Sequence, residues 1–182
     1  LAHNGVLFLD EFPEFRRDVL EALRAPLEDR FIRIARAGGS IQFPAAFSLV
    51  GAANPCPCGY WRSEDIPCKC KPYARERYQS RFSGPILDRF DLLIRVDQLS
   101  SYDFLQEHDS ESSKSVQKRV INARRRQQVR YSHTNFHCNA HVAGTQIKHH
   151  VSLSSEASQF LDLQLKRHSF SGRSWIRILK TA

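Results

Sequence analysis

The sequence predicts an α/β domain built on a parallel sheet and followed by a smaller helical domain, and three observations carry that reading. Val6-Leu7-Phe8-Leu9 is a continuous apolar run closed by Asp10-Glu11, the pattern of a strand buried on both faces of a parallel sheet. A second apolar run, Phe47 to Ala52, ends in Ala53-Asn54-Pro55. Beyond Ser113 the strand pattern gives way to helical periodicity, with a dense run of Lys and Arg.

Taken in order, Asn4-Gly5 reads as a turn before the first strand, and Asp10-Glu11 fall at the carboxyl rim where open α/β sheets bind ligands. From Arg16 to Leu27, Val19, Leu20, Leu23 and Leu27 recur at helical spacing; Pro13 suits the approach to that helix, and Pro26 predicts a kink or an early end. Phe31 to Arg36 and Ser40 to Phe43 flank Ala37-Gly38-Gly39, which reads as a β-hairpin with Arg33 and Arg36 at or near its tip. Leu92 to Val96 reads as a third short strand. The polar, Ser-rich stretch that follows sets the expected organisation: a sheet domain over 1–97, a linker over 98–113 and a helical domain over 114–182. Within the last, Lys114 to Tyr131 is basic and helical, 132–152 is a His-rich connection, Ser154-Ser155-Glu156 opens a helix carrying Phe160, Leu161 and Leu165, and a final helix starts near Ser171.

The 182 residues, 41% hydrophobic with twelve Phe, suffice for a folded core and exclude a wholly disordered chain. A formal net charge of +8 favours a polyanionic partner. No apolar stretch approaches the eighteen or so residues of a membrane span and no signal peptide opens the chain, so a cytoplasmic location is expected. A Leu at position 1 and the lack of any Met make the chain read as a fragment.

Val6 to Glu11 has the form of a Walker B strand, in which the Asp holds Mg²⁺ or its water shell and the Glu polarises the water that attacks a γ-phosphate. Alone, the same pattern suits a solvated strand end. Asn54, after the next buried strand, is placed to orient the lytic water. Arg89, within Pro85 to Asp91, suits an arginine presented to a neighbouring subunit, where a cation on the transferred phosphoryl is worth about 10³-fold or more in rate.

Four of the five Cys form two C-x-C pairs, Cys56/Cys58 and Cys68/Cys70. Four thiolates suit tetrahedral Zn²⁺ in a reducing compartment and leave no open position for catalysis. The spacing is tighter than the usual C-x₂-C, and unliganded or redox-active thiols are the alternative. Cys138 reads as a buried structural thiol, His141, His149 and His150 as part of a polar linker, and Tyr60 and Trp61 as packing on the cysteine loop or stacking on a base. Lys118, Arg119, Arg124, Arg125, Arg126 and Arg130 are dense enough to bind phosphates, against the reading of a solvated or subunit-contacting helix with charge on more than one face.

Together, GVLFLDEFPEF, LEALRAPLED, IARAGGSIQFPAAFSLVGAANPCPCGY, RFSGPILDRFDL and SGRSWIRILK resemble the magnesium-chelatase-like AAA+ ATPases of the YifB/ComM type, over nearly the whole chain. The resemblance implies a partial AAA+ P-loop NTPase core with a Cys₄ zinc loop over 55–71 and a C-terminal helical lid. It implies Asp10 and Glu11 as Walker B, Asn54 as sensor 1, Arg89 as the arginine finger, and Arg173, or else Arg177, as the nucleotide-sensing arginine of the lid. It implies ATP and Mg²⁺ as cofactors, a homo-hexameric ring, and translocation on single-stranded or branched DNA in recombination, with Arg33 and Arg36 of a pore-facing hairpin on the DNA backbone. The family's Walker A loop is expected N-terminal to residue 1, so the chain alone is expected to be inactive. The alternatives are a true chelatase ATPase subunit, in which the Cys cluster is not expected, and a non-enzymatic zinc module binding nucleic acid or protein.

Overall fold

The computed structural model describes residues 1–36, 38–82, 86–96, 111–168 and 172–181. The chain divides into two compact units, Leu1–Gln98 and Leu99–Ala182. Most of the expected linker, as well as Ala37 at the hairpin tip, Pro85 and Ser171, lies outside the described residues.

In the first unit, β1 (Val6–Leu9) pairs in parallel with β4 (Ser48–Gly51), in the register Val6↔Ser48 to Leu9↔Gly51. The expectation of a strand buried on both faces is corrected. Leu7 and Leu9 are half-buried, but Val6 and Phe8 are 62% and 57% exposed, because among the described residues this sheet has two strands and packs on one face. The expected helix over Arg16 to Leu27 is two helices, α1 (Arg17–Ala22) and α2 (Arg24–Asp29), which meet at Leu23. The break puts Pro26 in the first turn of α2, where its missing N–H would have had no intrahelical partner. Arg30, in the left-handed conformation with φ 63°, ends α2 and turns the chain into the hairpin of β2 (Phe31–Arg36) and β3 (Gly39–Pro44).

Leu92 to Val96 has a strand's composition but pairs with no described strand, and Leu92, Leu93, Ile94 and Val96 are all more than 60% exposed. The third strand is therefore a correction. The core of this unit is small: Phe12, Leu20 and Ile86 are buried, with Leu9, Leu23 and Phe90 against them and the Phe12 and Phe90 rings edge to face at 5.4 Å.

The second unit contains α4 (Ser113–Arg130), α5 (Ile147–His150), α6 (Ser155–His168) and α7 (Gly172–Thr181). Its core joins Tyr131, Val142 and Ile147 to Leu161 and Leu179, with Phe136, Val151, Trp175 and Ile178 packed against them. The 132–152 segment is thus more than a polar linker: Val142 and Ile147 enter the core and His150 packs edge-on to Tyr131 at 5.3 Å and to Phe136 at 5.8 Å, while His137 and His149 stay exposed. Asn139 ties this segment together. Its backbone N–H donates to Gln127 Oε1, its Nδ2 donates to the Lys180 carbonyl, and its Oδ1 accepts from the Tyr131 hydroxyl. Cys138 is buried here, as expected.

Candidate functional site

The parallel pairing of β1 and β4 brings two loops to one rim. Ala52 N–H donates to the Leu9 carbonyl at 2.9 Å and Phe12 N–H donates to the Ala52 carbonyl at 2.9 Å, so the two segments remain bonded one residue past β4 and three past β1. Asp10 and Glu11 emerge between those bonds, and Ala53-Asn54 emerges beside them; all three polar side chains are exposed. Glu11 has φ 47° and ψ 41°, a left-handed conformation that directs Phe12 and Pro13 into the core, while its N–H donates to Asp10 Oδ1 at 2.9 Å.

A helix absent from the sequence reading supports this turn. α3 (Pro72–Gln79) has Pro72 at its first position, the one local signal that announced it. Just after it, Arg81 donates to the Pro13 carbonyl at 3.0 Å and to Glu14 at 2.8 Å. Tyr78 is buried beneath the loop; burial raises its hydroxyl pKa, and the charges of Glu14, Cys56 and Glu11 add to the shift. Tyr78 therefore lies within electrostatic reach of both the acids and the cysteines.

Cys56, Cys58, Cys68 and Cys70 place all four Sγ atoms within 4.8 Å of one another, with Cys56 fully buried. The Cys56–Cys58, Cys56–Cys68 and Cys58–Cys68 sulfur separations are 3.5, 3.7 and 3.6 Å. Those lengths are far from a disulfide bond and close to the ~3.8 Å edge of a tetrahedron with ~2.3 Å zinc–sulfur bonds. The donor set fits Zn²⁺. Gly59, at φ 84°, allows the tight turn that folds C-x-C onto itself, with Gly59 N–H bonded to the Cys56 carbonyl at 2.9 Å. Hydrogen bonds from the Tyr60 backbone, and then from Cys70 and the Lys69 backbone, lower the Cys58 pKa to about 6 against the effect of burial. Burial and neighbouring thiols push Cys70 up to about 12. Trp61 is half-buried with the Arg75 guanidinium 3.7 Å over its ring, so α3 packs on the cysteine loop.

The remaining expected residues lie apart. Arg89, in a 3-10 turn at Leu87–Arg89, has a buried side chain ion-paired with Glu28 of α2. Arg33 pairs across the hairpin with Gln42 and lies 5.3 Å from the Phe31 ring, whereas Arg36 pairs with Gly39. Three positions separate Arg33 from Arg36, so strand alternation puts them on opposite faces of the ribbon. Arg173 and Arg177 belong to α7 of the second unit, four residues apart on one face; Arg173 is exposed, and Arg177 is half-buried and donates to Ser174 Oγ at 3.4 Å.

The family model for magnesium chelatase, subunit ChlI, matches residues 1–104, and the model for the C-terminal region of that subunit matches residues 110–182. The chain belongs to the magnesium-chelatase-like family, in its YifB/ComM branch. It is 41% identical to the protein YifB of Salmonella typhimurium and 42% identical to the competence protein ComM of Haemophilus influenzae, in each case over 100% of this chain and 35% of the relative. It is also 34% identical to the DNA replication licensing factor Mcm6 of Drosophila melanogaster, over 54% of this chain and 11% of that protein. The chain thus spans about a third of the length of its YifB and ComM relatives. Family membership makes this an AAA+ protein, and the mixed α/β unit with its parallel β1–β4 pair is consistent with part of that fold. No helix among the described residues is long and apolar enough to cross a membrane.

Proposed function

We propose that the full protein of this magnesium-chelatase-like family is an ATP-hydrolysing motor acting on DNA, and that this chain carries the hydrolytic half of its site. The observation that supports the reading is the parallel β1–β4 pairing, which presents Asp10, Glu11 and Asn54 at one strand-end rim. In that role Asp10 holds Mg²⁺ or its water shell, Glu11 polarises the attacking water and Asn54 orients it. When bound with ATP, Mg²⁺ offsets charge developing on the phosphates. Arg89 serves the site of a neighbouring subunit, which requires a ring, taken here as a homo-hexamer. Arg173, with Arg177 as the alternative, meets nucleotide from the helical unit. The four cysteines hold a structural Zn²⁺, and the exposed Arg33 and Arg36 track a DNA backbone.

The names of two similar proteins, a competence protein and a replication licensing factor, favour DNA as the substrate and recombination of incoming DNA as the setting. A cytoplasmic location suits both. The test is ATP hydrolysis by the full-length protein, wild type against Glu11→Gln, with and without single-stranded and branched DNA. DNA-stimulated hydrolysis that Glu11→Gln abolishes is expected. Hydrolysis indifferent to DNA overturns the motor in favour of metal-insertion chemistry, and no hydrolysis leaves a binding module.

A further inference from the structure

The chain's positive charge is unevenly placed. Residues 99–182 hold 13 of the 27 Lys and Arg but only six of the 19 Asp and Glu, a net +7, whereas residues 1–98 hold 14 and 13, a net +1. The excess concentrates on α4, which carries Lys114, Lys118, Arg119, Arg124, Arg125, Arg126 and Arg130 and not one acid. At ~100° per residue the helical repeat sets all of these except Arg124 within an arc of about 160°. Charge on more than one face was expected, and Arg124 does stand apart, but the other six form one broad face.

That face is accessible. Every α4 residue is exposed except Gln127, which is half-buried, so the helix meets its unit's core only near its C-terminal end, at Gln127 and the following Tyr131. Arg119 pairs with Glu111 and Arg130 donates to Asn139 Oδ1 at 3.2 Å. Lys114, Lys118, Arg125 and Arg126 have no ion pair among the described residues. A helix exposed merely for solubility gains from interleaved Glu and Lys; this one instead sets like charges four residues apart at Lys114/Lys118 and Arg126/Arg130, which opposes helix formation. A polyanion lying along the face relieves that repulsion.

We infer that the basic face of α4 contacts the phosphate backbone of DNA, forming a second nucleic-acid surface apart from the hairpin; this rests on the DNA-motor reading above. The helix is about 27 Å long, enough to follow roughly eight base-pair steps. Six long cationic side chains along one face suit a continuous phosphate backbone, so binding is expected to depend little on sequence and steeply on salt.

The test uses the full-length protein and fluorescently labelled single-stranded and duplex DNA, with affinity measured across a salt series. Lys118→Gln/Arg126→Gln removes two charges from the face; Arg124→Gln/Lys166→Gln removes two from elsewhere on the same unit. Thermal melting and DNA-free ATP hydrolysis check that both variants fold. The first is expected to weaken binding about tenfold or more and to lower the slope of log affinity against log salt by about two; the second should stay within about twofold of wild type. Equal losses in both variants, or none in the first while wild type binds, overturn the α4 surface and leave the DNA motor standing. Failure of the wild-type protein to bind DNA overturns both readings, and binding of vesicles rich in anionic lipid in its place identifies the face as a membrane contact.

Discussion

Arg89 is proposed as a finger for a neighbouring subunit, yet its guanidinium is buried within its own unit against Glu28. The two roles separate by mutation. Arg89→Ala in the full-length protein is expected to lower kcat about 10³-fold, whereas Glu28→Gln, which leaves the buried cation an amide in place of its ionic partner, should leave kcat within about threefold while lowering stability by about 1–3 kcal/mol. Equal loss of turnover in both variants would make the pair structural and remove Arg89 from the chemistry. Legibility at this scale followed chain distance. The Asp10-Glu11 pair and the four cysteines announced themselves as patterns because their members lie near one another in sequence. Arg81 and Asn139 did not, since Arg81 reaches Glu14 across 67 residues and Asn139 reaches Lys180 across 41.

Elements were legible where periodicity and turn chemistry agreed. The hairpin followed from Gly38-Gly39 between two β-rich runs, and the odd spacing of Arg33 and Arg36 within one strand already put them on opposite faces; the register added their partners, Gln42 and Gly39. The break between α1 and α2 left only the mark of Pro26. Residues 132–152 were misread because their apolar side chains follow no helical or strand period; Val142 and Ile147 enter the core from a 3-10 turn and a four-residue helix. Close packing there depends on Gly144, where an added Cβ would lie 2.8 Å from Ile176 Cδ1 and 3.5 Å from its Cγ2. Gly144→Val is expected to cost about 1–3 kcal/mol in urea unfolding, and Gly144→Ala less, because the end of Ile176 can rotate away. A neutral Gly144→Val would mean that the turn and α7 are not in contact in solution.

Across the molecule, each unit has its own core, and among the described residues the first unit's largest cluster joins three buried residues, Phe12, Leu20 and Ile86, with Ala45, Cys56 and Tyr78 buried outside it. A unit so lightly packed gains most from a metal that fixes a loop. Full-length protein purified under reducing conditions should contain one zinc per chain by elemental analysis. Chelation, or Cys56→Ser, should lower the melting temperature, and it should lower hydrolysis as well because Asn54 lies two residues before Cys56 on the same loop. Hydrolysis and melting that both ignore zinc removal would return the cysteines to unliganded thiols. The fold class was readable because α/β patterning is local; the thinness of the core was not, because burial depends on what covers a strand.

Glu11 stands in a backbone conformation that costs an L-residue with a side chain about 1–2 kcal/mol and costs glycine almost nothing. Glu11→Gly should therefore raise the thermal stability of the first unit while abolishing hydrolysis, and a drop in melting temperature would show that the left-handed turn is not a source of strain. Selection for folding and selection for catalysis pull this codon in opposite directions. Copies of the gene released from the second should drift toward glycine or asparagine at this position, so that its identity reports whether a lineage still uses the site.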